Sequence, residues 1–137
     1  MTTRLSLLLA AFGVTFVVAG PAFAHHSFSA DYDSNKPVKI KGVVTKVEWT
    51  NPHAHYYIDV VDERGNITNW NFELATINAL QRQGWTSKAL KVGDQVTIDG
   101  FKGKVVETRA AASSVMLADG RVLFAGPAPG SGDSAGR

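Results

Sequence analysis

The feature that most constrains the fold is a pair of consecutive segments that alternate between apolar and polar residues. Alternation with a period of two is typical of β-strands that bury one face. The residues expected to face the interior are Ala54, Tyr56, Ile58 and Val60 in the first segment and Thr68, Trp70, Phe72 and Leu74 in the second. The residues between the segments include Asp62, Gly65 and Asn66, which favour a turn. We therefore expect an antiparallel hairpin.

The hairpin also predicts which polar side chains are neighbours. If the loop closes with Val61 opposite Ile67, paired residues on the outer face lie about 5 Å apart. The pairs that this register predicts on the polar face are His55 with Glu73 and Asp59 with Asn69. The residues of the candidate ligand face are Tyr57, Asp59, Asn69, Asn71 and Glu73.

Segments on both sides of the hairpin add strands and one helix. Before the hairpin, the apolar pattern changes phase at Gly42, which predicts a β-bulge at that glycine. One apolar set is Val38, Ile40 and Val44, and the set in the opposite phase is Val43, Val47 and Trp49. The later elements are a helix from Thr76 to about Gln83 that ends at Gly84, a strand with Val96 and Ile98 that closes at Gly100, and a hairpin of residues 115–117 and 122–124 joined by Asp119-Gly120.

This order of elements predicts an all-β fold with one short helix, arranged as a small OB-like barrel of five to six strands. A β-sandwich is the alternative. The predicted core residues are Tyr56, Ile58, Trp70, Phe72, Val96 and Ile98. An OB-like barrel binds ligands on the outer face of its second and third strands and on the adjoining loops. That face is the one on which the polar residues of the hairpin lie.

The first 24 residues have the three-part layout of a secretory signal peptide. Arg4 precedes an uncharged apolar stretch at 5–19, and Ala22-Phe23-Ala24 supplies the cleavage site. The apolar stretch is shorter than the roughly 20 residues that span a bilayer. We therefore expect a periplasmic or secreted protein that begins at His25 and keeps no transmembrane anchor. The expected organisation is a signal peptide at 1–24, an N-terminal arm at 25–37, the OB-like barrel domain at 38–125 and a disordered tail at 126–137.

Composition excludes two classes of function. The chain has no cysteine, so it has neither disulfides nor thiol chemistry. It has 14 basic and 12 acidic side chains, and loss of Arg4 with the signal peptide leaves a net charge of +1. Nucleic-acid binding requires a basic stripe, so we do not expect a nucleic-acid partner.

All four histidines lie in two places, His25-His26 at the expected mature start and His53 with His55 in the second strand. The i, i+2 spacing on a strand predicts that both of these imidazoles lie on the polar face. Imidazole nitrogens bind copper and zinc well. Cleavage would also free the α-amine of His25, which has a pKa near 8 and gives up its proton readily to a metal. We therefore take His25, His26, His53 and His55 as candidate ligands for copper or zinc. The alternative is that they are ordinary surface histidines. No catalytic constellation is predicted.

Several short motifs occur in a fixed order along the chain. They are His25-His26-Ser27-Phe28, Trp49-Thr50-Asn51-Pro52-His53, Trp70 with Glu73, Gly84-Trp85-Thr86, Gly93-Asp94 and Ala118-Asp119-Gly120-Arg121. Together they resemble a family of small exported bacterial proteins catalogued as a domain of unknown function. The resemblance covers residues 25–125 and implies an extracytoplasmic protein without implying an activity. His25, His26 and His53 match the pattern of that family, whereas His55 departs from it.

Three functions are compatible with these patterns. The first is an exported binding module for a transition metal, copper first and zinc second, held by the mature N-terminal histidines and the turn that contains His53. The second is a non-metal accessory domain that binds an envelope protein or a small ligand through the outer face of the second and third strands. The third is a copper enzyme whose metal is held by an N-terminal histidine and its amine.

Overall fold

The structure, a computed structural model, describes residues 28–126. Its elements are α1 (Phe28–Asp31), β1 (Tyr32–Glu48), β2 (His55–Val61), β3 (Ile67–Glu73), α2 (Ile77–Arg82), β4 (Gln95–Gly103), β5 (Arg109–Leu117) and β6 (Val122–Phe124). The predicted signal peptide, the candidate ligands His25 and His26, and residues 127–137 of the predicted tail lie outside the described residues. The first strand begins inside the segment predicted as the N-terminal arm.

The strands form a closed ring. The long strand β1 pairs with β4 through its first part and with β2 through its last part, and both pairings are antiparallel. The pairs β2–β3 and β4–β5 are antiparallel as well, and a parallel pairing of β3 with β5 closes the ring. The short strand β6 extends the sheet beyond β5. The expected all-β, OB-like arrangement is thus confirmed, in one sheet rather than the two of a sandwich, although residues 28–126 contain two short helices instead of one.

The register predicted for the β2–β3 hairpin is confirmed. Val61 lies opposite Ile67. The predicted pairs on the polar face, His55 with Glu73 and Asp59 with Asn69, form as well. Because side chains alternate between faces, this register sends every second residue into the ring and leaves the polar set outside.

The core lies inside the ring, where the predicted residues meet. Five of the predicted core residues are buried, namely Tyr56, Ile58, Phe72, Val96 and Ile98. The sixth, Trp70, is half-buried and stacks on Phe72 with ring centroids 6.0 Å apart. Trp85 and Leu80 close the interior from the segment after β3. The alternating pattern therefore identified the correct inner face, except that Thr68, near the turn end of β3, is exposed.

The bulge in β1 lies between Val44 and Lys46, so the predicted bulge at Gly42 is wrong. Val44 is buried and Val43 is 38% exposed, which shows that the inward phase continues past Gly42. A Cβ atom at Gly42 would collide with the carbonyl oxygen of Asp59 in the neighbouring strand. Glycine is needed at this position for close approach of two backbones, and that need leaves the same mark in a sequence as a bulge does.

The elements after the hairpin follow the prediction with one exception. The hydroxyl of Thr76 accepts a hydrogen bond from the backbone N–H of Ala79 and so caps α2 as expected. The predicted turn at Asp119-Gly120 joins β5 to β6. However, β5 begins at Arg109, upstream of its predicted start, because Ala110 and Ala111 pair with both β3 and β4 despite the low strand propensity of alanine. Within residues 28–126, neither helix has the length and apolarity needed to cross a membrane.

Candidate functional site

Four segments of the chain meet at the side chain of Glu73, the last residue of β3. The parallel pairing of β3 with β5 sets Arg109 beside Asn71, two residues before Glu73. The turn before β2 contributes His53, and the first residue of β1 contributes Tyr32. The closure of the ring and the path of the N-terminal segment thus bring distant parts of the sequence to one carboxylate.

Both oxygens of the Glu73 carboxylate accept hydrogen bonds. Oε2 accepts from the Tyr32 hydroxyl at 2.5 Å and from Nη2 of Arg109 at 2.6 Å. Oε1 accepts from Nδ1 of His53. The side chain of Glu73 is only 15% exposed, so the three donors replace much of the water that an exposed carboxylate would bind. A charge buried to this extent is tolerated when it is paired and hydrogen-bonded.

The three donors keep Glu73 ionised. Burial acts to raise the pKa of the Glu73 carboxyl, but hydrogen bonds from Tyr32, His53 and Arg109 outweigh burial and lower that pKa to about 2. Burial raises the pKa of the Tyr32 hydroxyl, and its hydrogen bond to Glu73 raises that pKa further. An ionised carboxylate can only accept hydrogen bonds. At neutral pH each of its partners is therefore a donor.

The contact with Glu73 decides which nitrogen of His53 is available for other ligands. Because Glu73 can only accept, Nδ1 of His53 carries the hydrogen, and in the neutral ring the lone pair lies on Nε2. The side chain of His53 is 41% exposed. A carboxylate that holds one nitrogen while the other is free is the usual partner of a metal-binding histidine, since it fixes the ring and increases its basicity.

His55 has a similar arrangement with a neutral partner. Its Nδ1 donates to Oδ1 of Asn71 at 2.9 Å, which again leaves the lone pair on Nε2. Ala54, between the two histidines, is fully buried, so His53 and His55 lie on the outer side of the ring. The backbone of His55 lies opposite Glu73 as predicted, but the carboxylate of Glu73 contacts His53.

The other residues of the candidate ligand face contact neighbouring side chains, some of which lie outside that face. The hydroxyl of Tyr57 donates to Oε2 of Glu48 at 3.2 Å, and Nζ of Lys46 lies 5.0 Å from the centre of the Tyr57 ring. The amide of Asn69 donates to Oδ1 of Asp59 at 2.7 Å. Of the five residues predicted for this face, two contact a histidine. Asn71 contacts His55 of β2, and Glu73 contacts His53, which precedes β2.

Within the part of the chain that the structure describes, no group of three or more histidine, cysteine, aspartate or glutamate side chains could hold a metal ion. His53 and His55 are the two imidazoles of this part, and the carboxylate of Glu73 is fully engaged with its donors. Residues 28–126 thus supply no set of three such ligands around His53. The remaining predicted ligands, His25 and His26, lie outside the described residues.

The N-terminal segment is fixed to the ring next to this cluster. The ring of Phe28 packs edge-on against Phe101 of β4, with centroids 5.8 Å apart, and lies 5.5 Å from the ring of Tyr32. The backbone N–H of Lys104 donates to the carbonyl of Asp31 at 2.9 Å. Phe28 thus docks on the ring of strands, and the docked segment leads directly to Tyr32 and Glu73.

Sequence reasoning did not find Tyr32 or Arg109. These residues lie 41 and 36 positions from Glu73. No local pattern connects them to it, because their contacts depend on the parallel closure of the ring. The one available signal was an arginine at the start of an alanine-rich segment, and that signal does not identify a strand.

The chain matches the model of one protein family, described as a family of unknown function (DUF6152), over residues 14–111. This range contains Tyr32, His53, Glu73 and Arg109, and it ends within β5. No curated protein matches the sequence. The match extends over well more than half of the chain and agrees with the resemblance drawn from the motifs, so the protein belongs to this family of unknown function.

Proposed function

We propose that this protein is an exported binding module for a transition metal, with copper as the first candidate and zinc as the second. His53 binds the ion through Nε2, and His25 and His26 of the processed N-terminus supply further nitrogen ligands. The observation that carries the proposal is the contact between Nδ1 of His53 and the ionised carboxylate of Glu73.

That contact favours metal binding in two ways. It holds the His53 ring in one orientation, so less rotational freedom is lost when an ion binds. It also assigns the hydrogen to Nδ1 and increases the electron density on Nε2, the nitrogen that faces away from Glu73. A surface histidine without a function does not require a half-buried carboxylate that is itself held by a tyrosine and an arginine.

The path of the chain supports a contribution from the N-terminus. Phe28 packs on Phe101 and on Tyr32, and Tyr32 contacts the same carboxylate as His53. Covalent geometry limits the distance between the Cα atoms of His26 and Phe28 to about 7 Å. Phe28 thus holds the start of the described chain beside the residues that contact Glu73, which supports a contribution from the preceding histidines and the α-amine of a processed His25. Nitrogen donors are what copper and zinc prefer.

The proposed ligand set depends on export, because the α-amine of His25 is free only after the signal peptide is cleaved. Mass spectrometry of the periplasmic fraction should find a protein that lacks residues 1–24. A protein that retains these residues would remove the amine from the site and would contradict the proposal.

Metal binding is tested by calorimetric titration of Cu(II) and of Zn(II) into the processed protein. We expect one ion per chain and an affinity that falls at least tenfold in His53→Ala. The change Glu73→Gln should weaken binding by about 10- to 100-fold, the usual effect of removing a partner that orients a metal-bound histidine. A single glycine added before His25 should weaken binding as well, because it moves the free amine.

The matched control is Asn69→Ala, on the same face but outside the cluster around Glu73, which should bind as the parent does. His55→Ala measures whether the second imidazole takes part. If His53→Ala and the form with the added glycine both bind metal as tightly as the parent, the histidines are surface residues and the proposal is wrong.

A further inference from the structure

We infer that the outer face of β1, β2 and β3 is a second binding site and that its ligand is a neutral oligosaccharide. The inference goes beyond the proposed function and does not need His53 or a metal ion. The residues that carry it all lie within the described part of the chain, namely Lys46, His55, Tyr57, Asn69 and Asn71.

The pairing of the strands arranges the side chains of this face in rows. Lys46 of β1 lies opposite Tyr57 of β2, and Tyr57 lies opposite Asn71 of β3. In the next row, Asp59 lies opposite Asn69. Residues two apart on one strand share a face. The half-buried side chain of Tyr57 therefore lies among polar side chains on the outside of the ring of strands.

Hydrogen bonds within the face orient these side chains and leave part of their bonding capacity unused. Oδ1 of Asn71 accepts from Nδ1 of His55 at 2.9 Å. Nδ2 of Asn69 donates to Asp59 at 2.7 Å and to Thr45 at 3.1 Å. Among residues 28–126, no hydrogen bond uses Nδ2 of Asn71, Oδ1 of Asn69 or Nε2 of His55. The face thus presents one oriented donor and two oriented acceptors near an aromatic ring.

The charges of the face decide between two classes of ligand. An OB-like barrel binds oligonucleotides or oligosaccharides on the outer face of its second and third strands. A nucleic-acid chain is bound by cations that neutralise its phosphates. Here Nζ of Lys46 lies 2.5 Å from a carboxylate oxygen of Glu48. Likewise, Nη2 of Arg109 lies 2.6 Å from a carboxylate oxygen of Glu73. Both cations are paired, so the charge of the face suits a neutral chain.

A sugar ring complements the groups that this face presents. Each hydroxyl both donates and accepts a hydrogen bond, so neighbouring hydroxyls can pair with Nδ2 of Asn71 and with the two acceptors. The C–H surface of a sugar ring is apolar and packs on an aromatic ring such as that of Tyr57. The protein side chains are already oriented by their own contacts, so little of their freedom is lost on binding. Much of a ligand on an open sheet face stays in water, and we therefore expect millimolar dissociation constants.

The experiment is a titration of the isotope-labelled protein with oligosaccharides, followed by nuclear magnetic resonance. The neutral probes are cellohexaose, chitohexaose and maltohexaose, which differ in linkage and in substituents. An oligogalacturonate, whose sugar rings carry carboxylates, is the charged counterpart. We expect a neutral probe to produce saturable shifts centred on the backbone amides of His55, Tyr57, Asn69 and Asn71. The oligogalacturonate should bind more weakly.

Two variants test the assigned groups. Asn71→Ala removes the oriented donor and should weaken binding of the neutral probe about tenfold. Tyr57→Leu removes the aromatic ring and should weaken binding as well. The matched control is Thr97→Ala, at a half-buried polar position of β4 that pairs with Lys41 and not with β2 or β3. This control should bind as the parent does.

A third variant separates this inference from the proposed function. Asn69→Ala should weaken oligosaccharide binding and leave metal binding unchanged, so each site can fail without the other. The inference is wrong if no neutral probe produces saturable shifts, if the shifts lie on another part of the protein, or if the oligogalacturonate binds more tightly than every neutral probe. Binding that is unchanged in both Asn71→Ala and Tyr57→Leu also overturns it.

Discussion

Tyr56 and Trp85 pack against each other in the core, with ring centroids 5.9 Å apart, but only one of them has a partner for its polar atom. Nε1 of Trp85 donates to the carbonyl of Phe124 at 2.7 Å. The hydroxyl of Tyr56 is buried and has no hydrogen-bond partner among residues 28–126. Burial raises the pKa of this hydroxyl to about 12, so it is uncharged at any physiological pH.

This difference predicts that Tyr56→Phe stabilises the protein. An unsatisfied buried hydroxyl costs free energy, and phenylalanine removes it while keeping the ring. We expect the free energy of unfolding to rise by about 1 kcal/mol, measured by urea denaturation. Tyr32→Phe is the comparison, since that hydroxyl is hydrogen-bonded and its loss should destabilise. A Tyr56→Phe variant that is clearly less stable than the parent would mean that the hydroxyl has a partner.

Phe72→Ala should be strongly destabilising. Phe72 is fully buried inside the ring of strands and stacks on Trp70. Truncation of a buried phenylalanine usually costs about 3–5 kcal/mol, and we expect a loss in this range by urea denaturation. Val61→Ala, at a position 63% exposed, is the control and should change stability little. Equal stability of Phe72→Ala and the parent would reverse the assignment of the inner face.

Glu73 should make stability depend on pH in the acid range. The pKa of its carboxyl is about 2 in the fold, below the ordinary value of 4.5. A lowered pKa gives stability that is complete above about pH 4.5 and disappears as the pH falls through about 2. At neutral pH the shift corresponds to about 3 kcal/mol. We expect Glu73→Gln to be less stable than the parent by this order at pH 7, in the absence of metal.

The same comparison of unfolding free energies, repeated from pH 7 to pH 2, tests the direction in which stability depends on pH. The difference between the parent and Glu73→Gln should shrink as the pH falls below 4.5. A difference that stays constant across this range would show that the charge of Glu73 does not contribute to stability.

Gly42→Ala should destabilise through overpacking. A Cβ atom at this position would meet the carbonyl oxygen of Asp59 across the β1–β2 pairing. Forcing an extra carbon into a packed site typically costs about 1–3 kcal/mol. Gly65→Ala is an informative comparison, since nothing lies within 4 Å of its Cβ position and its φ is 82°. Any cost at Gly65 would thus come from backbone conformation alone. A Gly42→Ala variant as stable as the parent would show that the two strands can separate without loss.

Those features of the fold that depend on near neighbours in sequence could be predicted. The register of the β2–β3 hairpin followed from alternation and a short turn, and it correctly paired His55 with Glu73. The position of the β1 bulge could not be read in this way, because close approach at Gly42 and a bulge leave the same signal.

The environment of Glu73 was not predictable for a different reason. Its donors Tyr32 and Arg109 belong to strands that meet β3 only after the ring has closed. Alternation reports which face a residue is on and carries no information about a parallel partner far away in the chain. The candidate histidine His53 was identified from residue type, whereas the carboxylate that orients it was assigned to His55.

The parallel pairing of β3 with β5 also affects the order in which the contacts of Glu73 form during folding. The β2–β3 hairpin joins near neighbours in sequence, whereas the contacts of Glu73 with Tyr32 and Arg109 span 41 and 36 positions. Contacts between distant positions form late, because loop closure must come first. Glu73 therefore remains a hydrated carboxylate at the end of an early hairpin and loses its water only when the ring closes. The loss of this water and the arrival of Tyr32 and Arg109 therefore belong to the same late step of folding.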